Sequence, residues 1–215
     1  VIGIAGGIGS GKSAVARGLA DRLRVFVVDA DQIGHEVLTL PEIKHQIFQT
    51  FGADVFVSGE ATSEIDRRQL ARRVFGDETH LKKSLTQLEA IVHPEIRRQM
   101  QVRIRQQQAD HDVVLLDAAV MLEAGWNDLC EAVVFVEIPF ETRLARVLRN
   151  RGWDETELRR REASQLPLKQ KTEAADFVID NSGSLEDSVN QLHQIVLSLK
   201  QPPEEAATPH PDILT

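Results

Sequence analysis

Short unbroken apolar runs alternate along this chain with segments whose apolar residues recur every three or four positions. Val1–Ala5, Val25–Val28, Val113–Leu116, Ala132–Ile138 and Phe177–Ile179 are the unbroken runs, and their length and β-branched content predict strands. Strands that are apolar at every position are buried on both faces. The pattern therefore predicts a five-stranded parallel sheet covered by helices on each side, an α/β fold. Val15, Leu19 and Leu23 lie four apart and predict a helix from Lys12 to about Arg22. Ile43, Ile47 and Phe51 share another face, and Leu70, Val74 and Leu81–Leu88 continue the spacing toward the Arg- and Gln-rich stretch Pro94–Gln108. Gly52–Thr62 reads as a loop or small hairpin. Glu141–Gln165 reads as a charged helical region interrupted near Gly152, and Pro167 as the start of a short helix. Ser184 with Asp187 forms a capping-box pattern before a last helix, whose stripe is Leu185, Val189, Leu192, Val196 and Leu199.

The stretch between the second and third strands is too long for a simple crossover. We expect a single domain over 1–200, with a core of 1–32, 112–138 and 176–200, a helical substrate-binding insert at 33–111, and a helical lid at 139–175. The tail 201–215, rich in Pro, Glu and Ala, is expected to be disordered.

Charge narrows the partners. Thirty-three acidic against 25 basic residues give a formal net charge of −8. That balance offers no general attraction to nucleic acid or an anionic membrane, so any anionic ligand needs a local cluster of cations. No apolar run approaches the ~20 residues of a membrane helix. Cys130 is the single cysteine, so no intrachain disulfide can form; we expect it to be a small core residue in a reducing cytoplasm. No charged lead or cleavage site precedes Val1, so no secretory leader is expected, and the lack of an initiating Met suggests that a few residues precede it.

Gly6-Gly7-Ile8-Gly9-Ser10-Gly11-Lys12-Ser13 matches the spacing G-x-x-x-x-G-K-[ST] between a predicted strand and a predicted helix. Glycines let several backbone N–H groups converge on one anion, and the helix start adds partial positive charge. In such a phosphate-binding loop (P-loop), Lys12 reaches the β- and γ-phosphates of ATP and the Ser13 hydroxyl serves Mg²⁺. The fold class thus becomes a P-loop NTPase. No Asn is followed by Lys, so the guanine-reading Asn-Lys-x-Asp of GTPases is absent. What remains is mostly small-molecule kinases, on a nucleoside-monophosphate-kinase-like parallel sheet, and dethiobiotin-synthetase-like enzymes. The rival readings are another small-metabolite kinase on this scaffold, such as a nucleoside monophosphate kinase, and an ATP-binding regulatory or scaffold protein without turnover.

Asp29 and Asp31 follow the second strand, at the sheet edge where ligands bind. Either could orient an acceptor hydroxyl and take its proton, or cap the next helix. Asp117 ends the third strand, where it could sit near Mg²⁺ or serve as a structural hydrogen-bond acceptor. Arg143, Arg146 and Arg149 recur every three residues, as a phosphate-facing lid surface would.

With those residues placed, the chain resembles the dephospho-CoA kinase family from about Ile2 to Leu199. The resemblance rests on the P-loop, on Val28-Asp-Ala-Asp31, on Ile65-Asp-Arg67, on Leu88-Glu-Ala-Ile-Val-His-Pro94, on Arg161 with Gln165-Leu-Pro-Leu and Lys171, and on Ala175-Asp-Phe-Val-Ile-Asp-Asn-Ser-Gly183. It implies ATP- and Mg²⁺-dependent phosphorylation of the ribose 3′-hydroxyl of dephospho-CoA. Beside it, composition and charge lead us to expect a cytoplasmic protein with no nucleic-acid or membrane partner, and we expect a monomer although the sequence is silent on assembly. The resemblance favours Asp31 over Asp29 as the acceptor-side base and Arg146 as the lid arginine nearest the transferred group. It puts Arg67 and His93 on the coenzyme side, although His93 could equally be a buried residue fixing a helix start. It puts Asn181 near the adenine, although a turn role is open. The chain departs from the family where Asp117-Ala-Ala-Val-Met-Leu-Glu123 replaces the usual Asp-x-Pro-Leu-Leu-Phe-Glu, and where Asn150 stands in the place of a second lid arginine.

Overall fold

The computed structural model describes residues 1–75 and 79–200, so the tail 201–215 lies outside the described residues. Strands β1 (Ile2–Gly6), β2 (Val25–Asp29), β3 (Val113–Asp117), β4 (Ala132–Glu137) and β5 (Phe177–Asp180) form a sheet of order β2-β3-β1-β4-β5. Every pairing in it is parallel. The alternation within each strand explains the unbroken apolar runs. Val113 and Leu115 belong to a core layer with Val15 and Leu19 of the first turns after the P-loop and with Val189, Leu192 and Val196 near the end of the chain. Val114 and Leu116 belong to a second layer with Ile33, Ile47, Leu70 and Met100. Each such fully buried side chain contributes about 1.5–3 kcal/mol, so both faces of the sheet need their helices.

The first layer is closed by α1 (Lys12–Gly18) and α9 (Leu185–Lys200). Helix α1 is shorter than its spacing predicts, ending at Gly18 and continuing as a 3-10 turn, Leu19–Asp21. The capping box of α9 is present: the Asp187 N–H donates to Ser184 Oγ at 3.1 Å, and the Ser184 N–H donates back to Asp187 Oδ2 at 3.3 Å. Its predicted stripe is buried only at the centre, at Val189, Leu192 and Val196, while Leu185 and Leu199 at the two ends are exposed.

The second layer holds α2 (Ala30–Val37), α3 (Pro41–Phe51), α4 (Arg67–Val74) and α5 (Thr79–Gln107). Pro94 starts no helix. It lies inside the 29-residue α5. Proline removes one backbone donor and costs about 3 kcal/mol in a helix interior. Burial of Ile96, Met100 and Ile104 on the following turns offsets that cost. Gly52–Thr62 is a loop rather than a hairpin: a 3-10 turn, Ala53–Val55, leads to one isolated antiparallel bridge between Phe56 and Ile65. After β4 come α6 (Phe140–Arg151), α7 (Glu155–Glu162) and α8 (Leu168–Glu173). Gly152, at φ 68°, breaks the first of these from the second, and Pro167 precedes the third.

The strand order changes direction at β1 and β3. In open α/β sheets the crevice beyond the carboxyl ends of such strands is the ligand site. Register sets Asp117 beside Ile4 on one side and beside Asp29 on the other.

Candidate active site

The loop leaving β1 carries the sheet's unbroken run directly into glycines. Gly9 and Gly11 adopt φ 79° and 87°, a region open to glycine but costly for other residues. Space excludes a side chain there as well. A Cβ on Gly11 would stand 2.7 Å from Asn181 Nδ2 and 2.9 Å from Arg146 Nη1. Gly11 precedes α1, so the first backbone N–H groups of that helix open into the loop. Helix α1 lacks an acidic residue in its first turn. That leaves the positive end of its dipole for a ligand.

Lys12 and Ser13 converge on one carboxylate. Lys12 Nζ donates to Asp117 Oδ1 at 2.6 Å, and the Ser13 hydroxyl donates to Asp117 Oδ2. Asp117 is 6 % exposed, so its pairing with Lys12 is a nearly dry one. A hydroxyl and a carboxylate side by side are hard oxygen donors that suit Mg²⁺. Among the described residues no three His, Cys, Asp or Glu side chains form a metal cage of their own. The residues present thus fit an ion shared with phosphate oxygens rather than one held by protein alone.

The two aspartates that the sequence left open are separated by geometry. Asp29 is the N-cap of α2, accepting the Gln32 N–H at 2.9 Å. Asp31, one residue into that helix, lines a cavity of about 980 Å³ together with Gly6–Ser13. Its carboxyl is held above the usual carboxylate range, first by burial among protein walls, with Asp29 and Asp117 adding to the effect; Lys12 and the Ala119 backbone oppose it. A carboxylate with a raised affinity for protons is suited to receive one.

Arg146, on α6, also lines the cavity and donates to the Ser10 carbonyl at 3.0 Å. Its two expected companions do not join it. Arg143 is buried, donating to the Ile8 carbonyl at 3.4 Å and to Glu162 of α7, whereas Arg149 is exposed and reaches Asn150. A three-residue step falls about 60° short of a full helical turn, so arginines three apart drift across the surface instead of sharing a face. Arg151 and Arg161 also line the cavity and flank the Trp153 ring, at 4.7 and 4.0 Å from its centroid.

The remaining candidates divide. His93 lines the cavity, its ring meeting Trp126 edge-on at 5.0 Å, and burial lowers its pKa. Asn181 is buried and committed on both sides: Nδ2 donates to the Ser10 carbonyl at 2.6 Å, and Oδ1 accepts from Ser188 Oγ at 2.7 Å. It ties the P-loop to α9 instead of lining the cavity. Arg67 is exposed at the start of α4 and likewise is not a lining residue.

The cavity also has an apolar wall of Phe75, Leu85, Leu88, Val92 and Val120, of which the resemblance puts Phe75, Leu88 and Val92 on the coenzyme side and sequence reasoning missed Leu85 and Val120. That reasoning also missed two buried cations, Arg143 and Lys171. Arginines and lysines are expected in solvent, and only their partners on other elements explain why these two are not.

Comparison with known proteins finds similarity over most of the chain. A family model described as dephospho-CoA kinase matches residues 1–187. A Bacillus licheniformis dephospho-CoA kinase is 40 % identical over 199 residues, covering 91 % of this chain and 94 % of its own. The solved Thermus thermophilus protein TT1252 superposes with a TM-score of 0.77 at 32 % identity, covering 94 % of this chain and 97 % of that one. A solved dephospho-CoA kinase from Campylobacter jejuni shares the fold, with a TM-score of 0.55 at 24 % identity over 92 % of this chain and 96 % of its own.

Proposed function

Because the chain belongs to the dephospho-CoA kinase family, we propose that its cleft transfers the γ-phosphoryl group of ATP to the ribose 3′-hydroxyl of dephospho-CoA, giving coenzyme A. The observation that carries this reading is the meeting of the P-loop, Lys12, Asp31 and Arg146 around one cavity. A donor polyanion and an acceptor hydroxyl can be held there face to face, and positioning is most of the catalysis in phosphoryl transfer.

In the mechanism, the P-loop N–H groups and Lys12 hold the triphosphate. Lys12 exchanges its contact with Asp117 for one to phosphate oxygens as the nucleotide enters. Asp31 orients the ribose hydroxyl and accepts its proton as the new P–O bond forms and the bond to the ADP oxygen breaks. Arg146 neutralises charge on the transferring group. Ser13 and Asp117 would hold Mg²⁺, which would supply positive charge to the phosphate oxygens. In this reading α2–α5 form the acceptor side, the apolar wall around Phe75 takes the uncharged part of the acceptor, and α6–α8 act as a lid that excludes water. The reading extends to a monomeric cytoplasmic enzyme, which the net charge of −8 supports for a protein without nucleic-acid or membrane partners. Among the described residues no helix is long and apolar enough to cross a membrane.

A coupled ADP-release assay offering dephospho-CoA, AMP, UMP and CMP in parallel tests the proposal. Turnover with dephospho-CoA at least a hundredfold above the others is expected. Preference for a nucleoside monophosphate would overturn it.

A further inference from the structure

Lys171 is 2 % exposed, the most polar side chain among the large fully buried ones. It rises from α8 into the segment that leaves β3. There Nζ pairs with Glu123 Oε1 at 2.8 Å and donates to Gln165 Oε1 at 3.0 Å and to the Ala119 carbonyl at 3.5 Å. Glu123 is held in turn, since its Oε1 accepts the Leu166 N–H at 2.9 Å. The ammonium thus spends its three N–H groups on a carboxylate, an amide oxygen and a main-chain oxygen. Such a group is costly to bury and is tolerated only when all of its partners are in place.

What it holds gives it consequence. Ala119 lines the active-site cavity, and its backbone N–H favours the ionised carboxylate of Asp31. Two residues earlier, Asp117 engages Lys12 and Ser13. Residues 117–119 therefore run from the donor side of the cleft to the acceptor-side aspartate. Lys171 fastens the far end of that run to α8 and to Gln165, itself a lining residue. The connection is short: Lys171 Nζ reaches the Ala119 carbonyl, and Ala119 and Asp31 line the same cavity.

We propose that Lys171 is a positioning residue for phosphoryl transfer. Through the Ala119 carbonyl and Glu123 it holds the post-β3 segment where Ala119 meets Asp31, and so couples the seating of α7–α8 to the aim of the acceptor-side carboxylate. The inference rests on the assignment of Asp31 made above. A displacement of the order of 1 Å in such a segment can cost about 100-fold in rate.

The test uses the full chain with Lys171→Met combined with Glu123→Gln. The second change avoids leaving the Glu123 carboxylate without its cation, and its amide oxygen can still accept the Leu166 N–H. With folding verified by circular dichroism and thermal melting, kcat at saturating substrates is expected to fall 10- to 100-fold, while KM for ATP stays within threefold. In an Asp31→Asn background the same pair should produce less than a threefold further loss, because its effect acts through Asp31. An unchanged kcat in the folded double variant, or an equal loss in both backgrounds, would overturn the proposal. If the double variant does not fold, Lys171→Gln takes its place in the same measurements, with the same outcomes supporting or overturning the proposal: it keeps a donor toward Glu123 but is shorter. Full activity of Asp31→Asn alone would instead remove the assignment of Asp31, which keeps the two failures distinguishable.

Discussion

Asp31 and Asp29 are identical side chains two residues apart, and the chain gives them opposite employment. Asp29 sits where β2 ends, with extended backbone at φ −89°, ψ 104°, and its carboxylate satisfies a free N–H of α2. Asp31 is one step around that helix and looks into the cavity. The sequence could place both aspartates at the sheet edge, but the register of the first helical turn decided which one caps. We predict that Lys12→Ala and Asp31→Asn each lower kcat by more than 100-fold in the dephospho-CoA assay while leaving the far-ultraviolet circular dichroism unchanged. Asp31 carries a second prediction. Its folded-state pKa is raised above the ordinary 3.8, chiefly by burial, so the ionised form weakens the fold. That penalty is absent below about pH 4, where folded and unfolded chains both carry the proton, and it grows as pH rises through the folded-state pKa. Asp31→Asn should therefore melt higher than the parent at pH 7, and the gap should close in acid. A mutant less stable at pH 7 would show that the contacts with Ala119 and Lys12 outweigh the cost of burial.

At the level of elements, α6 has two unequal duties. One side carries Arg146 to the cavity, and the other sends Arg143 beneath the P-loop to Glu162. Phe140 completes the joint: Arg143 and Arg159 both approach its ring, at 5.4 and 4.4 Å from the centroid. Removing Glu162 would leave a guanidinium buried and short of partners, since Arg143 Nε already lacks one. Losing one member of a buried pair costs about 3 kcal/mol. For Glu162→Ala we expect a melting temperature lower by roughly 6–12 °C and a raised KM for ATP, because Ile8 of the loop leans on the same arginine. Helix α5 supplies a pH-dependent term. Burial beside Trp126 lowers the His93 pKa below the ordinary 6.5, so the unfolded chain takes up a proton that the fold resists. Stability from this source is full above pH 6.5 and declines as pH falls below it. Melting curves at pH 7.5 and 5.5 should differ less in His93→Gln than in the parent.

For the whole molecule, the strand order collects residues distant in the chain into one crevice. Lys12 meets Asp117 across 105 positions, and Asn181 meets Ser10 across 171. Because the crevice joins both sides of the sheet, ligands that fill it should tie the molecule together. ATP with Mg²⁺ at 100 times its Kd is expected to stabilise the fold by about 2.7 kcal/mol, read as a thermal shift. The Lys12→Ala variant should show much less. Cys130 lies partly buried beside Gly3, and burial pushes its thiol up to about 12. It should be inert to thiol reagents in the folded state at neutral pH.

The sequence alone determined the strands, the loop that holds phosphate and the fold class, because unbroken apolar runs and a fixed glycine–lysine spacing are local signals. It also placed Asp29, Asp31 and Asp117 at the sheet edge. Tertiary structure decided their roles. Pro94 could stay inside α5 only because distant elements bury the turns after it, and Arg143 and Lys171 left solvent only because Glu162 and Glu123 wait on other segments. The energy of a buried charge depends on who stands beside it, and neighbours that far apart in the chain leave no periodic trace in it.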